Sequence, residues 1–332
     1  MKHLIALLNS HIEGDDEQFL SVALQVAANE AREGRTVEAE RLRDLVQKAR
    51  DQHRHSVTST ARSPIPLARP RGELSGLVTS TYPKTTLSDM VLSEQVSKRL
   101  KRVIREQRMR AKLRDNGRLP TTHMLLVGLP GTGKTMTASA LAGELHMPLF
   151  TVKLEALFSK FFGETAGKLR QLFDQVVQVR GVYLLDEFDA IGSRRTSAND
   201  IGEVRRVLNS VLTYMEEPNS TDSLVVAASN HAELLDTALA RRFDEVVAYD
   251  LPDANAAKAV LERRLGAYKL SARTWAEVKK LTAGLSQAEL TRAADVVVKA
   301  AIIDGKKTIP VAGLREALED RRTFRNRFTS TS

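Results

Sequence analysis

Apolar residues recur at helical spacing through the first 50 residues. Two stripes share this spacing, one on either side of Gly34: Phe19, Val22, Ala23 and Val26, then Leu42, Leu45 and Val46. Apolar residues three and four positions apart lie on one face of a helix. The pattern therefore predicts a small all-α N-terminal domain over residues 1–52, with packing or docking as its ordinary role.

The composition changes over residues 53–84. This stretch is rich in Ser, Thr, Pro and Arg, with prolines at Pro64, Pro66, Pro70 and Pro83. Proline lacks a backbone donor and interrupts helices and sheets, so the composition predicts a linker. Helical spacing resumes from Leu87, and a helix is expected from Ser93 to about Arg114.

Short apolar runs then alternate with helical segments. Five runs are expected to be strands, at residues 123–127, 149–152, 182–185, 224–228 and 246–249. Buried strands separated by helices indicate parallel βαβ units with helices on both faces of the sheet. The predicted fold class is α/β, an αβα sandwich with a parallel five-stranded sheet over residues 85–252. A C-terminal α-helical lid is expected over 253–322, and a basic tail over 323–332.

Composition narrows the setting of the protein. Of 332 residues, 42% are hydrophobic and 27% are charged, as in ordinary globular proteins. No apolar run reaches the roughly 18–20 residues of a membrane helix, and the short run at residues 4–8 lacks a signal-peptide cleavage site. The sequence contains no cysteine, which excludes disulfides and fits a reducing compartment. We expect a cytoplasmic protein without a membrane segment.

A glycine-rich loop follows the first strand. Residues 128–135 read GLPGTGKT, a complete G-x-x-x-x-G-K-[ST] pattern between a strand and a helix. In such a loop the backbone N–H groups surround phosphate oxygens, the lysine reaches the β- and γ-phosphates, and the threonine hydroxyl binds Mg²⁺. The sequence therefore predicts a site for ATP and Mg²⁺ formed by Gly128, Pro130, Gly131, Thr132, Gly133, Lys134, Thr135 and Met136.

Polar residues follow three later segments of the α/β region. Asp186 and Glu187 end an apolar strand about 50 residues after the loop, where Asp186 can hold Mg²⁺ and Glu187 can act as general base on the attacking water. Asn230 follows the next strand and either orients water near the γ-phosphate or caps a helix. Arg241 and Arg242 are either solvated or reach a neighbouring subunit's ATP.

The ordered motifs resemble those of the AAA family of AAA+ ATPases over roughly residues 85–320. Beyond the phosphate loop, four segments carry the resemblance: SDMVL at 88–92, DEFDAIG at 186–192, SN with LDTALARRFD at 229–230 and 235–244, and GLSQAEL at 284–290. The arrangement is similar to bacterial single-module members with a helical N-terminal domain. The resemblance implies ATP hydrolysis within a homo-oligomeric ring, with a hexamer as the form expected in the ATP state.

The resemblance also implies roles for individual residues. Asn230 would be the first sensor of the γ-phosphate, and Arg241 and Arg242 would act in trans across a subunit interface. A central-pore loop is implied at Lys160, Phe161, Phe162 and Gly163, with Phe161 gripping an extended polypeptide. The alternative is that Phe161 and Phe162 are core residues at a helix end.

Two departures from the family pattern affect these expectations. The two arginines are adjacent, in a segment two residues shorter than usual, so the sequence does not assign the finger to either. Gln287 stands in the lid motif where glycine is commoner, a change expected to have little effect.

Basic residues are concentrated between residues 51 and 122, with 15 Lys and Arg against 6 Asp and Glu. Nine surround the predicted helix: Lys98, Arg99, Lys101, Arg102, Arg105, Arg108, Arg110, Lys112 and Arg114. Such a helix either neutralises nucleic-acid phosphates or is simply solvated. Nucleic acid is the less favoured partner, because Tyr82 is the only aromatic residue between Arg62 and Arg118 for base stacking.

Three functions are compatible with these features. The leading hypothesis is a motor that remodels, unfolds or threads protein, with residues 1–52 recruiting a substrate or adaptor. The alternatives are a DNA-handling ATPase of the loader or transposition-helper type, and an ATP-dependent assembly switch. Some similar bacterial ATPases are encoded beside a subtilisin-like serine protease in defence or plasmid-maintenance loci, although no residue here specifies that partner.

Overall fold

A computed structural model describes Glu40 and residues 74–154, 162–189, 209–231 and 237–329. Nearly all of these residues belong to the second of two compact units into which the chain divides, Pro66–Ser332. Apart from Glu40, the predicted N-terminal domain at 1–52 lies outside the described residues, as does most of the predicted linker.

The described strands form one sheet in the order β1-β3-β4-β5-β2-β6. Their bounds are β1 Val78–Thr81, β2 His123–Gly128, β3 Leu149–Val152, β4 Val182–Leu185, β5 Leu224–Ser229 and β6 Glu245–Tyr249. All neighbouring pairs are parallel except β1 with β3, which is antiparallel. The carboxyl ends of β2, β4 and β5 therefore meet at one edge of the sheet. The polar residues of the sequence motifs lie at this edge, because they come directly after these strands.

Helices cover both faces of this sheet and form the C-terminal region. In chain order they are α1 Leu74–Leu77, α2 Glu94–Arg108, α3 Arg110–Asp115, α4 Lys134–Leu145, α5 Phe162–Gln178, α6 Thr237–Ala240, α7 Ala254–Leu265, α8 Ala272–Thr282, α9 Gln287–Ile303 and α10 Val311–Thr329. Residues 209–215 are also helical. The predicted α/β class with a helical lid is confirmed, but the sheet has six strands rather than five parallel ones, because β1 adds an antiparallel edge strand beside β3.

Three hydrophobic clusters follow from this arrangement. Successive residues of a strand point to opposite faces, so Leu125 packs in one cluster with α5 while Met124 and Leu126 pack in another with α2 and α4. A third cluster joins α7, α8, α9 and α10. The third cluster gives the lid a core of its own, separate from the two cores of the sheet.

Two predicted boundaries require correction. Residues 74–81 were expected within the linker, but α1 and β1 are ordered there, and Leu77 and Val78 are buried with Val78 opposite Val152. The expected basic tail from residue 323 is instead the last part of α10, which continues to Thr329. Neither glycine nor proline interrupts α10 at residue 323, and Leu314 and Leu318 fix the helix in the lid core.

Asp244 joins β6 to the start of β2. Its Oδ2 accepts hydrogen bonds from the backbone N–H groups of Thr122 at 2.8 Å and His123 at 2.9 Å. Burial raises the pKa of the Asp244 carboxyl, but the nearby His123 ring and the hydrogen bonds from these two N–H groups outweigh burial and lower the pKa to about 2. The carboxylate form therefore stabilises the folded state.

We expect D244N to unfold at a lower urea concentration than the wild type at pH 7. A carboxyl whose pKa is depressed on folding contributes stability above its unfolded pKa of about 3.9, and that contribution is lost as pH falls towards its folded value. The difference between the variants should therefore narrow below about pH 4. Asp250, exposed at the other end of β6, supplies the control D250N. A gap that stays constant with pH would contradict this role for Asp244.

Candidate functional site

The glycine-rich loop connects the buried strand β2 to α4. Gly131 and Gly133 adopt positive φ values of 77° and 105°, a backbone region that favours glycine. The hydroxyl of the buried Thr132 donates to the carbonyl of Leu129 at 2.9 Å and holds the turn closed. The loop therefore places its backbone N–H groups beside the N-terminus of α4. A helix N-terminus is a favourable position for an anion.

Lys134, the first residue of α4, folds back over the loop. Its Nζ donates to the carbonyl oxygens of Gly128 at 2.6 Å and Leu129 at 3.0 Å. Burial lowers the pKa of the Lys134 ammonium, while the charges of Asp186 and Asp189 act in the opposite direction. The ammonium is thus held against the backbone of the phosphate loop.

Thr135 and Asp186 come together although 51 positions separate them. The Thr135 hydroxyl donates to Oδ2 of Asp186 at 2.8 Å, at the carboxyl end of β4. A hydroxyl and a carboxylate are hard oxygen donors of the type that Mg²⁺ prefers. The two residues therefore fit the predicted magnesium site.

Glu187 is exposed between two anchored residues. Its backbone N–H donates to Oδ1 of Asp186 at 3.0 Å, and its φ of 53° turns the chain sharply away from β4. The following residue, Phe188, is buried, donates its N–H to the Ala228 carbonyl at 2.8 Å and packs edge-on against Phe243. These anchors present the Glu187 carboxylate to solvent next to the Asp186 carboxylate.

Asn230 lies at the same edge of the sheet. It follows β5, which is hydrogen-bonded to both β2 and β4, and its backbone N–H donates to Oδ1 of Asp189 at 3.0 Å. The structure thus brings the phosphate loop, Asp186, Glu187 and Asn230 to one edge, as the parallel strands predicted.

Arg241 and Arg242 differ in their surroundings. Both are exposed and follow the short helix α6. The Arg242 guanidinium forms an ion pair with Glu216, whereas Arg241 has no hydrogen bond or ion pair with any residue in the described ranges. Within those ranges, neither arginine is bonded to the phosphate loop of its own chain.

Half of the predicted pore loop lies outside the described residues. Lys160 and Phe161 fall in the gap before α5. Phe162 and Gly163 form the first turn of α5. The role expected for these residues stays a prediction.

The lid reaches the phosphate loop, a feature that the sequence motifs did not specify in detail. The backbone N–H of Ala288 donates to the carbonyl of Gly131 at 3.0 Å. A Cβ atom at Gly131 would lie 2.7 Å from Oγ of Ser286, so a side chain there would collide with the start of α9. Gly131 therefore serves the approach of the lid as well as the turn.

Tyr249 is a further residue of the site that sequence reasoning missed. Its hydroxyl and that of Thr137 are hydrogen-bonded at 2.6 Å, which ties the end of β6 to the first turn of α4. Burial raises the pKa of Tyr249 to about 12, so the hydroxyl stays neutral at physiological pH. The only indication in the sequence was the position of Tyr249 at the end of an apolar strand.

Most of the basic residues on α2 and α3 are paired with acids. Arg99 and Arg102 bind the buried Glu245, while Arg110 and Arg114 bind Asp222. Each side chain that is held by a carboxylate is less available to phosphates. The basic residues therefore fix α2 and α3 to the sheet, which favours the structural interpretation over nucleic-acid binding.

Comparison with known proteins identifies ATPases that are similar in sequence to this chain. The family model described as "ATPase family associated with various cellular activities (AAA)" matches residues 124–251. An uncharacterized AAA family ATPase, y4kL, of Sinorhizobium fredii is 33% identical over 92% of this chain and 91% of that protein. An ATP-dependent zinc metalloprotease, FtsH, of Helicobacter pylori is 33% identical over 75% of this chain but only 41% of its own length.

The likeness extends to a crystal structure. The FIGL-1 AAA domain superposes with a TM-score of 0.60 at 22% identity, over 77% of this chain and 92% of that one. A phosphate loop beside an acidic strand end, within an αβα sandwich that carries a helical lid, defines a P-loop ATPase. The chain belongs to the AAA family, and it is an ATPase, as the sequence motifs predicted. None of the helices in the described ranges is long and apolar enough to cross a membrane.

Proposed function

We propose that this protein is a Mg²⁺-dependent ring ATPase that remodels, unfolds or threads protein substrates. The observation that supports the chemistry is the convergence of Lys134, Thr135, Asp186 and Glu187 at one sheet edge. The proteins named FtsH are proteases that depend on ATP, and their similarity to this chain favours work on polypeptide. The two relatives named above come from bacteria, and we place this protein in a bacterial cytoplasm.

Each site residue has a role in the proposed reaction. The loop N–H groups and Lys134 bind the β- and γ-phosphates, and Glu187 accepts a proton from the attacking water. Asn230 orients that water from the end of β5. Mg²⁺, held by Thr135 and Asp186, would neutralise charge on the phosphates.

A neighbouring subunit of the ring would supply one further cation to the site, an arginine side chain. Arg241 is exposed and unpaired within the described ranges, whereas Arg242 is engaged by Glu216 of its own chain. We therefore assign the trans-acting finger to Arg241 in a homo-oligomer, taken to be a hexamer. Residues 1–52 would recruit the substrate or adaptor, and a separately encoded subtilisin-like protease is a candidate partner in a defence or plasmid-maintenance system.

The experiment that tests protein remodelling is a substrate trap. E187Q protein is purified with ATP and Mg²⁺, and the retained molecules are identified. A defined set of proteins, lost when Phe161 is also replaced by Ala, supports the motor. Nuclease-sensitive nucleic acid, lost when the basic residues of α2 are neutralised, would favour the DNA-handling alternative, and retention of neither would favour an assembly switch.

We expect F161A to keep most of the ATP hydrolysis and to lose substrate unfolding by about thirtyfold, because an aromatic anchor contributes on the order of 2 kcal/mol to a grip on polypeptide. The measurement compares ATP turnover with unfolding of a trapped substrate. The control F324A removes an exposed aromatic ring on α10, outside the predicted pore loop. Equal losses of hydrolysis and unfolding in F161A would contradict a pore role.

A further inference from the structure

A groove opens along an exposed face of α2, separate from the ATP site. Its volume is about 620 Å³, within the roughly 300–1,000 Å³ of ordinary ligand sites. The turn at residues 87–88 and the C-terminal end of α4 form two of its walls. The third wall is one side of α2, which contributes Lys101, Ile104, Arg105 and Arg108. The described residues that line the groove include none from the phosphate loop or the lid.

The floor of the groove is apolar. Leu87 and Ile104 line it and are buried, as parts of the core that α2 shares with the sheet. Met109, at the end of α2, lines the groove as well, and 47% of its surface is exposed. None of the described residues that line the groove is aromatic. A partner can therefore bury an apolar side chain here, whereas the groove offers no ring on which a nucleobase could stack.

Glu144, the one acid among the described lining residues, is already engaged. The Arg108 guanidinium donates to Oε2 of Glu144 at 3.0 Å and to its backbone carbonyl at 2.7 Å. Oε1 of Glu144 accepts from the backbone N–H of Leu87 at 3.3 Å. Lys101 and Arg105 are exposed one turn apart, and neither side chain has a hydrogen bond or ion pair with any residue in the described ranges. The groove therefore carries two cations without a counter-charge.

This state distinguishes Lys101 and Arg105 from their neighbours on the helix. Arg99 and Arg102 are both bound to the buried Glu245 and attach α2 to the sheet. Lys101 and Arg105 make no such attachment within the described ranges. Their positive charge is available to a partner instead.

We propose that this groove docks an acidic segment of a partner protein. An apolar side chain of the segment rests on the floor, and its carboxylates face Lys101 and Arg105. Charge complementarity favours this occupant, because unpaired cations beside an apolar surface attract acidic residues and reject basic ones. The proposal does not depend on the proposed motor function, since no residue of the groove takes part in the reaction of ATP.

The test uses the full chain and paired arrays of short synthetic peptides. Each acidic peptide carries several Asp or Glu residues beside large apolar ones, and its neutral twin carries Asn or Gln at the acidic positions. We expect the acidic peptides to bind about tenfold more tightly than their twins, and K101E/R105E to weaken them about tenfold, because attraction becomes repulsion at two positions. ATP hydrolysis by K101E/R105E should stay at the wild-type rate, which shows that the variant is folded.

Matched controls separate the groove from the general charge of the surface. K112E/R118E makes the same change of charge at two exposed residues that do not line the groove, and it should leave peptide binding unchanged. M109A should weaken the acidic peptides about threefold through lost apolar contact. L119A removes an exposed leucine outside the groove and should have no effect.

Three outcomes would overturn the proposal: no tighter binding of acidic peptides than of neutral ones by the wild type, unchanged binding in K101E/R105E, or equal weakening in K101E/R105E and K112E/R118E. Oligothymidylate is measured in parallel. If it binds the wild type, is lost in K101E/R105E and the acidic peptides do not bind, the groove takes nucleic acid instead. Displacement of the acidic peptides by ATP would place them in the phosphate site and would also contradict docking in the groove.

Discussion

Replacing Glu187 with glutamine is expected to lower ATP turnover by roughly 10²–10⁴-fold, the usual contribution of a positioned general base. Glutamine keeps the size and the backbone turn of the residue but accepts no proton from water. Because Glu187 is exposed, and within the described ranges reaches the loop only through the bond of its backbone N–H to Asp186, ATP affinity should change little. Steady-state hydrolysis and equilibrium binding, measured on the same preparation, give the two quantities.

The matched control for E187Q is E94Q. Glu94 is also an exposed glutamate, and it pairs with Lys98 one turn along α2. The E94Q variant should hydrolyse ATP at the wild-type rate. Normal turnover by E187Q in a preparation free of contaminating ATPase would assign the base to another group, and a parallel loss of ATP affinity would indicate a structural role.

The apolar runs predicted the parallel strands well because each is buried on both faces of the sheet. β1 escaped prediction for the opposite reason. Its sequence Val-Thr-Ser-Thr is short and largely polar, and its partner β3 begins 68 positions later in the chain. Pairing over such a distance leaves no local pattern to detect.

The end of the chain shows a similar limit. Arg325 and Arg327 suggested a basic tail from residue 323, but exposed basic residues are common in both tails and helices. What decides between them is contact: Leu314 and Leu318 hold α10 in the lid core, and Arg325 lies 4.0 Å from Glu289. Packing of that kind is a property of the assembled lid.

The candidate site divides in the same way. Residues that bind phosphates and metal follow strands or begin a helix, so their sequence positions predicted their convergence. Gln287 is hydrogen-bonded to Val91 and Tyr249 to Thr137, and each partner lies far away in the sequence. Only the three-dimensional arrangement reveals such contacts.

Loss of the Arg241 side chain is expected to reduce hydrolysis by the assembled ring about 10³-fold or more, the range measured for arginine fingers. R241A should bind ATP and assemble normally, because Arg241 is bonded to nothing in the described part of its own chain. R242A should have a smaller effect on the chemical step. Arg242 is already engaged by Glu216, and its loss acts on that ion pair. Equal and severe losses in both variants would contradict the assignment to Arg241.

Mixed rings distinguish action in trans from action in cis. A pure R241A ring lacks the finger and a pure E187Q ring lacks the general base, so both hydrolyse ATP slowly, although an R241A subunit keeps Glu187 and an E187Q subunit keeps Arg241. If Arg241 serves the neighbouring subunit's site, mixing restores turnover at those R241A sites that border an E187Q subunit. If Arg241 serves its own site, every site in the mixture lacks one essential group and turnover stays absent. Recovery after mixing therefore requires both the trans finger and a ring, and it tests the two parts of the proposal together.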